Sequence, residues 1–381
     1  MLRYLTAGES HGKAIVAILE GMPANLKLSA SDIDKELARR QAGYGRGGRM
    51  AIEKDKVEIL SGVRLGKTLG SPIAMMVENK DYENWKKIMP VEEIKNIFQE
   101  PVTKLRPGHA DLTGTLKYNQ QDIRNILERA SARSTVGLVA AGAAVKKLLA
   151  EFHILIFSHV VQIGKVKAEA KGSLSAGQFE KLKGAAEASE LRCADPAAEG
   201  LMEKAIDNAG KEGDSIGGVF EVVVIGAPVG LGSHVHPDRR LSGKLAQAVM
   251  SVQSVKGVEI GLGFEAASHP GSKAHDEIFF ENEEFVRHTN NAGGLEGGIT
   301  NGMPIVLRAA VKPAATIAKP LNSVDLVTKE AAKAHVERAD ICHVPSAGVI
   351  AEAAAAIEIA NAFLEKFGGD SLEEIAKRYS V

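Results

Sequence analysis

The sequence predicts an α+β fold. Two observations carry this: runs of β-branched residues and runs of Ala, Val and Leu come in uneven groups rather than in regular βαβα alternation, and the segment Val349 to Phe367 is apolar almost throughout. A helix of that character lies buried against other helices or a sheet rather than facing solvent. No fixed-period repeat is visible. The most polar stretch, 165–215, reads as two amphipathic helices rather than a linker, so residues 1–381 are expected to form one large domain with insertions.

The elements follow in order. Ser31-Asp32-Ile33-Asp34 reads as a helix start with acidic residues in its first turn, continued by Lys35 to Arg40. Lys56 to Leu60 is strand-like, and a long helix is expected from Thr135 to about Phe152. Ile154 to Ile163 and Val219 to Ile225 are rich in β-branched residues and read as strands. Leu241 to Val252 reads as a helix, Val255 to Ile260 and Pro304 to Val311 as strands. Asp370-Ser371 caps a last short helix beyond the apolar one. Much of the glycine, 39 residues in all, clusters at 43–48, 213–218, 226–232, 257–263 and 293–302. Such clusters mark tight turns, or backbone lying close to a ligand.

Composition narrows the function classes. A hydrophobic share of 45% and a charged share of 25% are those of a globular protein. The net charge of −1 supplies no global field toward nucleic acid or membrane, so any anion site must be a local concentration of arginine. Cys193 and Cys342 stand far apart and outside any CxxC spacing, which points to reduced thiols rather than a disulfide framework or zinc site. The chain reaches the polar run Gly8-Glu9-Ser10-His11-Gly12 at once, leaving no room for a signal peptide. No stretch is read as approaching the roughly 20 apolar residues of a membrane span. A cytoplasmic protein is expected.

Four constellations could carry chemistry. In Gly8-Glu9-Ser10-His11-Gly12, small neighbours let the imidazole meet a ligand, although a lone loop histidine is also a common surface residue. From Arg39 to Met50 four arginines stand within eleven residues among flexible glycines. Guanidinium groups grip phosphate and carboxylate through paired hydrogen bonds, so the segment suits a compact polyanion. An RGG-type RNA tail is the other use, but this is a single copy set between a helix and a strand. Arg106-Pro107-Gly108-His109-Ala110-Asp111 fixes a turn, with a carboxylate two residues beyond the histidine. Arg129-Ala130-Ser131-Ala132-Arg133-Ser134-Thr135 places two arginines and several hydroxyls before a helix start, where backbone amides favour anions and an ordinary cap is equally at home. Asp340 beside Arg338 reads most simply as a surface ion pair.

Taken in order, these segments together with Gly213-Asp214-Ser215-Ile216-Gly217-Gly218, Val255 to Phe264, Ala292 to Ile299 and Lys312 to Thr316 resemble the chorismate synthase family across nearly the whole chain. The resemblance implies a β-α-β sandwich with a helical core between antiparallel sheets, and a homotetramer. It implies a phosphate lyase that converts 5-enolpyruvylshikimate 3-phosphate to chorismate with reduced FMN and no net redox change, as in the monofunctional members that draw reduced FMN from an external flavin reductase. It assigns catalysis to His11, as acid toward the leaving phosphate, to His109, beside the flavin, and to Asp340. It assigns substrate binding to Ser10, Arg40, Arg46, Arg49, Arg133 and Arg338, with Arg39 and Lys104 as lesser candidates. Cofactor contacts fall on Arg129, Ala130, Ser131, Gln253, Ser254, Gly297, Lys312, Pro313, Ala314, Ala315, Thr316 and Arg338. Arg40 and Arg46 also match positions the family links to NADPH, though steering of the anionic substrate is the simpler use.

Two rival functions remain at this level. An FMN-binding NADPH-dependent flavin reductase would suit the arginines and glycines, but no dinucleotide fingerprint opens a βαβ unit. An RNA-binding protein would need a basic face and stacking platforms, and the neutral charge and 4% aromatic content supply neither.

Overall fold

The computed structural model describes residues 1–46, 54–93, 100–169, 176–337 and 339–380. Its main elements are β1 (Arg3–Ala7), β2 (Ala14–Glu20), α1 (Ala30–Gln41), β3 (Val57–Ile59), β4 (Ile73–Glu78), α2 (Asp111–Tyr118), α3 (Arg124–Ala130), α4 (Thr135–Ala150), β5 (Leu155–Ile163), β6 (Val166–Lys167), α5 (Ala176–Ala188), α6 (Pro196–Lys211), β7 (Gly218–Ile225), α7 (Leu241–Met250), β8 (Val255–Ile260), β9 (Ile305–Val311), α8 (Val344–Phe367) and α9 (Leu372–Tyr379). They form two antiparallel sheets, one ordered β1-β2-β4-β3 and the other β8-β9-β7-β5-β6.

The first sheet has one covered face. Ile15, Ala17 and Leu19 of β2 alternate with more exposed neighbours, as do Ile73, Met75 and Val77 of β4, and α4 packs on that face. In the second sheet, β5 and β7 are buried along most of their length. There α8 packs on one face, while Phe179 and Leu182 of α5 close over Phe157 and Val223 on the other. Cover on both faces explains why these strands read as continuous β-branched runs.

Between the sheets lie α4 and α8, with α1 packed on both. The two central helices approach closely: a Cβ on Gly142 would stand 2.3 Å from the Cβ of Ala353. One continuous apolar core runs from Leu2 to Ile375. This is the expected sandwich of helices between sheets.

Some boundaries moved. Ser29, not Ser31, precedes α1, and its N–H donates to the Asp32 carboxylate at 3.0 Å. Helix α8 begins five residues before the expected Val349, with Pro345 in the first turn, where its missing N–H leaves no bond unmade. By length and composition α8 could cross a membrane, which corrects the expectation that no stretch approaches that size; 83% of its apolar window is buried inside the fold. Strands β1, β2 and β4 were not singled out from the sequence.

One charged cluster is buried within this core. Glu352 of α8, fully buried, accepts from Arg39 of α1 at 2.7 and 2.9 Å, from Lys146 of α4 at 2.7 Å and from Ser158 of β5 at 2.6 Å. Burial raises the Glu352 carboxyl's pKa, but the Coulomb fields of Arg39, Lys146 and Arg192 outweigh it and hold the group below its ordinary range. Four elements of the sandwich thus meet on one carboxylate.

Candidate active site

A cavity of about 540 Å³ opens where the loop after β1, the end of α1, the segment after β4, the Arg106–His109 turn, the α3–α4 junction and the loops after α7 and β9 meet the start of α8. That volume lies within the range of small-molecule sites, about 300–1,000 Å³.

Two histidines line it, each bound at Nδ1 to a buried carboxylate. His11 Nδ1 donates to Glu128 at 2.9 Å, and the ring stacks on Trp85 at 3.8 Å between centroids. His109 Nδ1 donates to Asp111 at 2.5 Å. Arg106 in turn grips Asp111 through Nε at 2.8 Å and Nη2 at 3.0 Å. Burial raises the Asp111 pKa, but the hydrogen bonds from His109 and Arg106 lower it further, so it stays a carboxylate. The turn that Pro107-Gly108 makes is what brings residues 106, 109 and 111 together.

Cations line the cavity as well. Arg40 and Arg133, only 3% and 5% exposed, share Asp55: Arg40 Nη2 lies 3.0 Å from one carboxylate oxygen and Arg133 Nη1 binds the other. Arg133 Nε also donates to Asn79 Oδ1 at 2.7 Å, and the Asn79 amide ties down the carbonyls of Glu9 and Gly12. Arg46 lies beside Asp340, with Nε 3.3 Å from Oδ2. The backbone sets that pair, because the N–H of Ile341 donates to the Gly45 carbonyl at 3.0 Å. Gly45 sits at φ +77°, and a Cβ there would stand 2.8 Å from Ile206. Burial, then repulsion from Arg46 and Arg133, overcome Asp55 and push the Arg40 pKa down to about 10. Lys312, also on the cavity wall, is depressed by burial and by Lys256. Burial is the larger cause of both depressions, and a bound anion would relieve the part that comes from neighbouring cations.

The lining also holds polar atoms without partners. Gln253 donates to Ala130 O at 3.1 Å and Ser134 Oγ at 3.2 Å, while its buried Oε1 finds no partner among the described residues. The same holds for Nε2 of His343, whose pKa burial lowers. Ser254 adopts φ +72°, a conformation that costs a non-glycine residue energy and recurs at ligand sites. A buried acceptor, strained backbone and cationic wall fit a flat polar cofactor that carries a phosphate.

Of the sequence-predicted residues, Ser10, His11, Arg40, Arg46, His109, Ala130, Ser131, Arg133, Gln253, Ser254, Lys312, Ala314, Ala315, Thr316 and Asp340 line this one cavity. Arg49 and Arg338 lie outside the described residues. Arg129 is exposed and donates to the carbonyls of Thr6 and Gly8 at 2.8 and 3.2 Å. Gly297 lies in the turn between the short strands Leu295–Glu296 and Ile299–Thr300, and neither it nor Pro313 is part of the lining. Arg39 turns instead to Glu352, and Lys104 is exposed and pairs with Asp325 through the backbone, as an isolated antiparallel β-bridge. Asp340 sits outside helix and strand, with Arg46 as an ion-pair partner. Sequence reasoning missed Asp55, Asn79, Trp85, Glu128 and His343. Trp85, as the chain's single tryptophan, was the one with a signal.

The family model for chorismate synthase matches residues 2–364. A chorismate synthase of Geobacter metallireducens is 57% identical, over 100% of this chain and 98% of its own length. One from Aquifex aeolicus is 57% identical over 99% of this chain and 96% of its own. Among solved structures, a crystal structure of chorismate synthase superposes with a TM-score of 0.81 at 46% identity, covering 100% of this chain and 96% of that one. These matches do not favour the flavin-reductase alternative.

Proposed function

The chain belongs to the chorismate synthase family and is a phosphate lyase that converts 5-enolpyruvylshikimate 3-phosphate to chorismate; on that premise we propose that the cavity lined by the two histidines and the arginines is where the elimination takes place. The observation that carries this is the convergence of His11, His109, Arg40, Arg46, Arg133 and Asp340, distant in sequence, on one lining.

The substrate brings two carboxylates and a phosphate of about −1.5 to −2 charge. Arg40, Arg46 and Arg133, with Arg49 and Arg338, would hold these groups, and Ser10 would add a hydroxyl. His11 is the general acid: a proton on Nε2 passes to a phosphate oxygen as the C3–O bond breaks. Asp340, ion-paired with Arg46, would accept the proton that leaves C6.

The family requires reduced FMN, which when bound supplies electron density transiently to the substrate's conjugated system and is returned reduced. Residues that would hold it are Ala130, Ser131, Gln253, Ser254 and Lys312 to Thr316, with Gly297, Arg129 and Arg338 as further candidates. His109 would hold negative charge on the ring side of the site. Reduced FMN would come from a separate flavin reductase.

We also propose that residues 1–381 act as one catalytic domain and assemble as a homotetramer. Exposed apolar residues support assembly, among them Leu116, Tyr118, Phe264 and Phe285. Two buried cysteines outside any disulfide, Cys193 and Cys342, suit a reducing cytoplasm.

Anaerobic phosphate release tests the reading. Reduced FMN should give many turnovers per flavin, and oxidised FMN none. Arg46→Ala should raise the substrate KM about tenfold or more with FMN binding kept. Stoichiometric flavin oxidation, or an unchanged KM in a folded Arg46→Ala protein, would refute it.

A further inference from the structure

The carboxylate of Glu128 does more than fill space behind the cavity. It is 1% exposed, on α3, and holds the Gly8–Gly12 loop at three points. Its backbone carbonyl accepts the Ser10 N–H at 3.0 Å. Its Oε2 accepts the His11 N–H at 2.8 Å, and Oε1 and Oε2 lie 2.9 and 3.1 Å from His11 Nδ1. The ring is held from another direction by Trp85, whose Nε1 donates to Asp81 at 3.0 Å. The imidazole is thus fixed by a charge at one nitrogen and a plane against one face.

We infer that Glu128 is a positioning residue for the acid His11, holding the ring in the Nδ1–H form so that the transferable proton is carried on Nε2. The inference rests on the proposed role of His11 at the departing phosphate. An ionised acceptor at Nδ1 selects the tautomer with hydrogen on that nitrogen and stabilises the imidazolium, as a carboxylate does in a catalytic triad. Glu128 is ionised: burial raises its pKa, but the hydrogen bonds and charge of His11 lower it more. Other charged groups near the pair are Arg124 on α3, 3.4 Å from Glu128, and Asp81, which accepts from Trp85; Arg40, Arg46, Arg106, Arg133, Lys312, Glu337 and Asp340 share the cavity lining. Among these groups the Glu128 carboxylate is the charge in direct contact with the imidazole, at 2.9 Å.

Glu128→Gln keeps the side chain's volume and an acceptor for the His11 N–H but removes the charge. The expected result is kcat lower by about 10- to 100-fold with substrate KM and FMN affinity within about threefold. An acid must be protonated to act, so activity falls as pH rises through its pKa. Losing the anion should move that alkaline limb of the kcat profile to lower pH, and Glu128→Asp should bring it part of the way back. In a His11→Ala background, Glu128→Gln should cause no further loss. An unmoved limb, or an equal second loss on top of His11→Ala, overturns the inference. So does a parent protein whose His11, identified by ¹⁵N-histidine NMR against His11→Ala, is the Nε2–H tautomer when neutral, a readout that needs no folded Glu128 variant. Parental kcat in His11→Ala alone would instead sink the role of His11 itself.

Discussion

Replacing Asp55 by asparagine should uncover how much of the site's charge is held in place by one carboxylate. Arg40 and Arg133 are 3% and 5% exposed, and both bind Asp55, itself 4% exposed. At the 3.0 Å separation of Arg40 and Asp55, and an effective dielectric of about 20, the Coulomb attraction is about 5 kcal/mol before desolvation. Removing one partner of a buried pair costs about 3–5 kcal/mol, because the other charge stays behind uncompensated. Here two charges stay behind, and Arg40 already titrates low at about 10 from burial and its cationic neighbours. The variant should therefore lose about 3–5 kcal/mol in urea unfolding without ligand. It should regain more than the parent does when inorganic phosphate is added, since an anion in the cavity replaces the missing charge. The assay is the urea midpoint of parent and variant with and without phosphate. A loss below about 1 kcal/mol, as for a surface pair, would refute the reasoning, as would equal phosphate stabilisation in both proteins.

Two further outcomes follow from other pairs. Asp340→Asn removes a proton acceptor beside Arg46 while keeping its shape, so single-turnover phosphate release under anaerobic, saturating conditions should slow about 100-fold or more with binding intact; parental rates would return Asp340 to a plain ion pair. Acid should weaken the fold through Glu187: burial raises its carboxyl, but hydrogen bonds from Arg192 and Arg39 hold it down to about 2 against an ordinary 4.5. A depressed carboxylate contributes stability above its unfolded pKa and loses it as pH falls through the folded one, so the urea midpoint should drop between pH 4.5 and 2, and less so in Glu187→Gln.

Local physics made much of this chain readable. Val255–Ile260 is a strand with the expected bounds, and Thr135–Ala150 and Leu241–Met250 are helices within two residues of expectation, because periodicity and side-chain shape act within a few residues. The first strand of the first sheet escaped notice for a related reason. Arg3–Ala7 is short and mostly exposed, so little in it distinguishes a strand from a loop.

The site divides along the same line. Residue types suited to the chemistry, the histidines and arginines, stand in recognisable segments, and sequence alone determined them. Their partners come from far along the chain: Glu128 for His11 across 117 positions, Asp55 for Arg133 across 78. A lone Glu or Asp carries no mark of the cation it will meet, since that pairing exists only once the strands and helices have packed. Arg39 and Arg40 show the limit most plainly. They are adjacent in sequence, yet one turns to Glu352 in the core and the other to Asp55 at the cavity. Successive residues on a helix point about 100° apart, so which one meets a ligand was decided by what packs on each face of α1, and only the tertiary structure supplies that.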